Sequence, residues 1–153
     1  MIKKLLTLGA TLVASIGITA CSGLQSKSAT ELDLQVYNPQ GQSLFPVTST
    51  LITGPTEAIL IDAQFQKNDA QNLVNMIRAS GKQLTTIYIS HGDPDYYFGL
   101  DVLAAAFPNA RIVATPATVA KIAQTMKGKK AYWGAILEGN APEKLILPQA
   151  LTN

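Results

Sequence analysis

Residues 90–99, SHGDPDYYFG, directly follow the apolar and β-branched run LTTIYI of residues 84–89. The run predicts a buried strand, and the ten residues after it contain the single histidine of the chain, His91, together with Asp93 and Asp95. Imidazole and carboxylate side chains at a strand end are typical of a metal site or an acid–base site. We therefore expect the functional site in this loop.

The patterns around this loop predict alternating strands and helices. An alternating strand over 32–37 comes first, followed by a hairpin whose arms, 47–53 and 58–62, are joined by the turn residues 54–57. The second arm is apolar throughout, which predicts that both of its faces are covered. Further helices are predicted over 68–81, 99–107 and 115–128, the last with an extension over 131–137, and further strands over 84–89, 111–114 and 145–147.

This order of elements predicts an α/β (α+β) domain. The first strands are antiparallel because a hairpin joins them, and the later strands alternate with helices, which favours parallel pairing. The economical architecture is one mixed sheet covered by helices. At 153 residues the chain has room for one such domain, which we place at 31–153.

The N-terminus reads as an export signal. Lys3 and Lys4 precede an apolar run over 5–18, and small residues then lead to Cys21. This resembles a bacterial lipoprotein signal peptide over 1–20, with Cys21 as the lipidated residue, 21–30 as a flexible tether and Ser22 typical of sorting to the outer membrane. The predicted location is the periplasmic side of the cell envelope. The alternative is a short membrane anchor with an incidental cysteine, although the run is shorter than the roughly 20 residues of a spanning helix.

The charge balance excludes a nucleic-acid-binding surface of the usual kind. Without Lys3 and Lys4, ten basic residues face ten acidic ones, so the mature chain offers no net positive charge to a phosphate backbone. The one basic cluster is Lys127, Lys129 and Lys130, which we interpret as a solvated helix end. The expected partners are therefore a small-molecule substrate and, through the lipid on Cys21, the membrane, with no nucleic acid.

The loop supports two interpretations. His91, Asp93 and Asp95 are spaced so that a turning backbone brings one imidazole and two carboxylates together, a donor set for Zn, Mn or Fe. A metal lowers the pKa of a bound water, and Asp95 would orient or deprotonate that water. Alternatively, residues 92–95 only form a turn, for which glycine, proline and aspartate are well suited, and Asp95 caps the helix that begins at Gly99. Asp62, at the end of the preceding buried strand, is either a turn former or a carboxylate that supports the site.

The loop and its strand resemble the first half of the metallo-β-lactamase-fold hydrolases. Their hallmark is His-x-His-x-Asp-His followed by glycine, and here His91 matches the first histidine and Asp95 the aspartate. Asp93 stands at the second histidine and Tyr96 at the last. The resemblance implies an αββα sandwich, a divalent metal, zinc by family, and metal ligands His91, Asp93 and Asp95. It also implies a catalytic role for Asp95 and supporting positions for Asp62 and Tyr96.

The differences from the family pattern leave two functions open. No histidine follows His91, so either the C-terminal half with its ligands is missing or the site is degenerate. The apolar stretch 145–147 just before the end favours a truncated domain, which would expose an apolar sheet face. One function is a metal-dependent, lipid-anchored hydrolase of unknown substrate. The other is a non-catalytic lipoprotein that keeps the fold as a binding module.

Overall fold

The computed structural model describes residues 31–152. The predicted signal peptide, Cys21 and the tether over 21–30 lie outside the described residues. The strands are β1 (Asp33–Tyr37), β2 (Ser49–Thr53), β3 (Glu57–Ile61), β4 (Gln83–Ile89), β5 (Arg111–Ala114) and β6 (Gln149–Ala150), and the helices are α1 (Lys67–Ala79), α2 (Pro94–Tyr97), α3 (Leu100–Ala106) and α4 (Pro116–Leu137). Single 3₁₀ turns lie at Gln40–Gln42 and Glu138–Asn140.

The six strands form one mixed sheet in sequential order. β1, β2 and β3 pair antiparallel, and β3, β4, β5 and β6 pair parallel. The predicted α/β fold with a mixed sheet and a β2–β3 hairpin is therefore confirmed. Each parallel connection moves one strand further in the same direction. Since such connections are right-handed almost without exception, we place their helices on one face of the sheet.

The hydrophobic core lies between that face and the helices. Leu60 and Ile87 project from the central strands and are fully buried against α1 and α3, which contribute Leu73 and Leu103. At one end of the core, the ring of Trp133 of α4 packs edge-on against the rings of Phe45 and Phe65. None of the helices between residues 31 and 152 has the length and apolar character needed to cross a membrane.

The opposite face of the sheet carries exposed apolar side chains. Leu34 pairs with Ile52, which pairs with Ile59, so the three lie in one row across β1, β2 and β3. Leu34 is 64% exposed, Val36 66% and Ile59 39%. The prediction that both faces of the strand over 58–61 are covered is therefore wrong. The apolar side of β1 faces away from the helices, whereas Tyr37 on its other side reaches α1.

Element ends differ from prediction where tertiary contacts decide them. α1 starts one residue before Asn68, with Gln66 at the N-cap position, so Asn68 is not the cap. α4 starts as predicted, since Thr115 accepts a hydrogen bond from the Thr118 amide, but it runs through Gly128 to Leu137 without a break. The stretch 145–147 is not a strand. The last strand is instead β6, two residues further on.

Candidate functional site

The carboxyl ends of β3 and β4 bring two loops together at one edge of the sheet. The first loop starts with Asp62 and the second with Ser90 and His91. Their backbones are joined because the Ala63 amide donates to the Tyr96 carbonyl at 2.8 Å and the Gly99 amide donates to the Gln64 carbonyl at 2.9 Å. The predicted site loop is therefore fixed against the loop that carries the predicted supporting aspartate.

A chain of hydrogen bonds runs from Asp62 through Ser90 to His91. Asp62 Oδ1 accepts from the Ser90 amide at 2.8 Å, and Asp62 Oδ2 accepts from the Ser90 hydroxyl at 2.6 Å. Ser90 Oγ lies 2.7 Å from His91 Nδ1. Since the hydroxyl proton is directed to the carboxylate, the Nδ1–H of His91 donates to Ser90 Oγ. The exposed ring then presents Nε2 to solvent.

The backbone of Asp62 has an unusual conformation at the start of this hydrogen-bonded chain. Its φ is +63°, in the left-handed region, which aspartate tolerates better than most residues. The side chain is buried, and burial raises the pKa of the Asp62 carboxyl, an effect opposed by the two hydrogen bonds from Ser90. Asp62 therefore does more than form a turn, because its buried carboxylate binds the hydroxyl group of Ser90 on the adjacent strand end. It fixes the position of Ser90 and, through Ser90, of His91.

The loop residues that follow His91 include an aromatic ring that stacks on it and a half-buried carboxyl group. The Tyr96 ring lies against the His91 ring, with centroids 4.5 Å apart and planes 30° from parallel. Asp95 is half-buried inside α2, so it does not cap α3. Burial raises the pKa of Asp95, and the charge of Asp93 raises it further. Burial likewise raises the pKa of Tyr97 to about 12.

Asp93 is engaged by a lysine from α4. Lys129 Nζ donates to Asp93 Oδ1 at 2.8 Å and to the Gly92 carbonyl at 2.8 Å. The Lys129 hydrogen bond holds the pKa of Asp93 below its usual range. The interpretation of Lys127, Lys129 and Lys130 as a solvated helix end is therefore wrong. α4 continues beyond these lysines. The Lys130 ammonium group also donates a hydrogen bond to the backbone carbonyl of Glu143.

The three predicted metal ligands share one loop but do not converge in the described arrangement. Within residues 31–152, no group of three His, Cys, Asp or Glu side chains is placed to hold a metal ion. His91 keeps Nε2 free, since only its Nδ1 contacts Ser90, but Asp93 is bound to Lys129. These side chains are of types that bind divalent metals, but in the described arrangement their positions do not fit a metal ion. The assignment of His91, Asp93 and Asp95 as ligands stays a prediction.

Two further residues at the site were not found by the sequence reasoning. Ser90 directly precedes His91, and a hydroxyl between a buried strand and a histidine is a local signal that points to it. Lys129 gives no such signal, because it lies 36 residues from Asp93 along the chain. Only the packing of α4 across the loop brings the two together.

Sequence comparison identifies a family for most of the chain. The profile described as "Metallo-beta-lactamase superfamily" matches residues 43–151. The chain is 32% identical over 71 residues to the uncharacterized protein YobT of Bacillus subtilis (strain 168). That match covers 46% of this chain and 30% of YobT, so the chain spans about a third of that relative.

Solved structures agree on the fold. A Cronobacter sakazakii metallo-beta-lactamase with an HARLDQ motif is 26% identical with a TM-score of 0.50, over 70% of this chain and 40% of that one. The BLEG-1 B3 metallo-beta-lactamase is 13% identical with a TM-score of 0.52, over 79% of this chain and 53% of that one. The chain therefore spans about half or less of these structures.

Proposed function

Because the chain belongs to the metallo-beta-lactamase superfamily, we propose that it is a metal-dependent hydrolase with its site at the loop of residues 90–99. The observation that carries the proposal is the hydrogen-bonded chain from Asp62 through Ser90 to His91. A histidine whose ring is oriented by a buried carboxylate, here through the Ser90 hydroxyl, is an arrangement that enzymes use to position a ligand or a base. The substrate is a small molecule with a hydrolysable ester, thioester or amide bond.

The proposed roles follow from the surroundings of each side chain. His91 offers Nε2 to a ligand, and Asp62 and Ser90 prevent its ring from turning. Asp95, whose pKa is raised by burial, is the proposed proton-transfer residue, because a carboxyl with a raised pKa exchanges protons closer to neutral pH. Tyr96 supports the His91 ring by stacking on it.

The proposed cofactor is a divalent metal. The family generally binds such ions, usually zinc, and an imidazole with two carboxylates also suits manganese or iron. His91, Asp93 and Asp95 are the proposed ligands. Since Asp93 is bound to Lys129 in the described arrangement, we assign no reaction step to the metal.

The proposed location is the periplasmic side of the bacterial cell envelope, with the membrane reached through a lipid on Cys21. The support is the signal pattern of residues 1–20 and the cysteine that follows it. Cys21→Ser is expected to move the protein from the membrane fraction to the soluble fraction. Wild-type and Cys21→Ser proteins found in the same fraction would contradict lipid anchoring.

Metal-dependent turnover tests the enzymatic proposal. The full chain is assayed with ester, thioester and amide test substrates, with added zinc and with a chelator. We expect hydrolysis that the chelator abolishes and that Asp95→Asn reduces by about 100-fold or more. Asp101→Asn, the same change on α3 outside the loop, is the matched control. Hydrolysis that survives both the chelator and Asp95→Asn would refute the assignment.

A second candidate is a non-catalytic lipoprotein of the same fold. The ion pair between Lys129 and Asp93 favours it, because a lysine there takes a carboxylate that a metal would need. This candidate predicts no metal-dependent turnover on any substrate class. Turnover that requires metal and disappears in Asp95→Asn would exclude it.

A further inference from the structure

The face of the sheet opposite the helices carries two rows of side chains that cross β1 to β5. Paired residues of neighbouring strands point to the same face, so the strand registers define each row. The first row consists of Leu34, Ile52, Ile59, Thr86 and Arg111. The second row lies two positions away along each strand and consists of Val36, Thr50, Ile61, Tyr88 and Val113. Most of this surface is therefore aliphatic, and Arg111 is the charged member of the two rows.

The charged groups of this face lie at its margins. Glu57 begins β3 next to the hairpin turn, and Arg111 begins β5 at the far end of its row. The two charges have opposite signs, so two copies of the face bring no net charge together. An apolar centre with a polar rim is the composition of a protein–protein interface.

The size of the face fits a weak interface. Strands about 4.8 Å apart, each about five residues long at about 3.3 Å per residue, give β1 to β5 roughly 400 Å² in projection. Two such faces together would bury about 800–1,000 Å², since side chains add relief to the projected area, and interfaces below about 1,200 Å² belong to weak complexes. The area therefore indicates an association that depends on protein concentration.

A second sheet can cover a flat apolar sheet face, because sheets stack about 10 Å apart with their inner side chains interdigitated. The predicted tether over 21–30 cannot supply such a layer, since Leu24 is its one large aliphatic residue. A second copy of the chain supplies an identical sheet with the same two apolar rows.

We propose that two copies of the chain associate through this face, sheet against sheet, about a two-fold axis that crosses the strands between the two rows. The axis makes the two β3 strands antiparallel, which keeps the two Glu57 side chains at opposite ends of the interface. Since β3 is the middle strand of the five, Ile59 of one copy lies near Ile59 of the other at the centre. The association requires neither metal nor turnover and goes beyond the proposed function.

Sedimentation velocity of the full chain tests the association. We expect a dissociation constant of about 100 µM, so that the protein is mostly monomer at about 10 µM and mostly dimer at about 1 mM. Ile59→Lys places like charges at the centre of the interface and should weaken association at least about tenfold, as should Ile59→Glu. Ile136→Lys, the matched control on α4 at a side chain 49% exposed, is expected to match wild type.

Mixing the two charge variants distinguishes a second copy from any other occupant. Equal amounts of Ile59→Lys and Ile59→Glu chains, each monomeric alone, are expected to form a mixed dimer, because opposite charges then meet at the centre. Val36→Lys, on the edge strand at a side chain 66% exposed, should also weaken association without a change in the core. Circular dichroism checks that every variant is folded.

Three results would overturn the proposal. A wild-type chain that stays monomeric at the highest concentration shows that the face does not bind itself. Association that Ile59→Lys and Val36→Lys both leave unchanged places the contact on another surface. A mixture of Ile59→Lys and Ile59→Glu that stays monomeric, with both variants folded, shows that the two copies do not meet at β3.

Discussion

Gly99 is the position where one added methyl group should do the most damage. A Cβ there would lie 2.1 Å from the Ala63 carbonyl oxygen and 2.6 Å from Ala70 Cβ, whereas ordinary contact begins at 3.4 Å. The first atom is backbone and the second is on α1, so neither has a flexible end that can move aside. Gly99→Ala therefore forces the two site loops apart by more than 1 Å.

The cost follows from these contacts. Overpacking of a tight interior costs about 1–3 kcal/mol, and loss of the Gly99 hydrogen bond to the Gln64 carbonyl adds about 1 kcal/mol. We expect Gly99→Ala to lower the free energy of unfolding by about 2–4 kcal/mol. For a domain of this size, the melting temperature falls by roughly 5–15 °C.

Urea unfolding followed by the fluorescence of Trp133, the single tryptophan, measures the change. Gly128→Ala is the matched control, because that glycine lies inside α4 with nothing within 4 Å of a Cβ. It is expected to raise stability by about 0.5–1 kcal/mol through helix propensity. Gly99→Ala within about 0.5 kcal/mol of wild type would refute the close packing of the two loops.

Three further predictions concern the core, the buried aspartate and the loop. Leu60→Ala should lower the free energy of unfolding by about 2–5 kcal/mol, but Leu34→Ala, 64% exposed, by less than about 0.5 kcal/mol; equal costs in urea titrations would contradict the exposed sheet face. Burial raises the pKa of Asp62, so the folded state binds the carboxyl proton more tightly than the unfolded state. The contribution of Asp62 to the free energy of unfolding therefore falls as the pH rises from its unfolded pKa of about 4 through its folded pKa. Asp62→Asn removes this contribution, and identical pH profiles of urea stability for the two proteins would disprove it. Gly92→Ala meets only the flexible stem of Lys121, so it should cost under about 1 kcal/mol, and a melting temperature as low as that of Gly99→Ala would be inconsistent with this difference.

Most elements were predictable because their signals are local. The strand at Arg111–Ala114 and the start of α4 at Thr115 and Pro116 depend on β-branched residues, a cap and a proline within six positions. The end of α4 depends instead on tertiary packing. Gly128 is a plausible stop, but the burial of Leu137 and the contacts of Trp133 stabilise the longer helix by more than the two glycines, Gly128 and Gly134, destabilise it.

The residues proposed for the site could be named from the sequence because their signals are local as well. His91, Asp93, Asp95 and Tyr96 lie within six consecutive positions, and Asp62 is marked by its place at the end of a buried strand. The ion pair between Asp93 and Lys129 was not predictable, because Lys129 reaches Asp93 through the path of α4 and not through any sequence pattern. The exposure of the apolar side of β1 could not be predicted for a similar reason. Alternation shows that a strand has two different faces, but it does not show which face meets the helices.

Zinc content at saturation tests the central claim most directly. The full chain is equilibrated with excess zinc, passed through gel filtration, and analysed for metal per chain, alongside His91→Ala. Since His91 is the single histidine and the proposed ligand, we predict about one zinc per chain in the wild type and none in His91→Ala. Equal zinc in both proteins, or none in the wild type, would contradict a metal site in the loop.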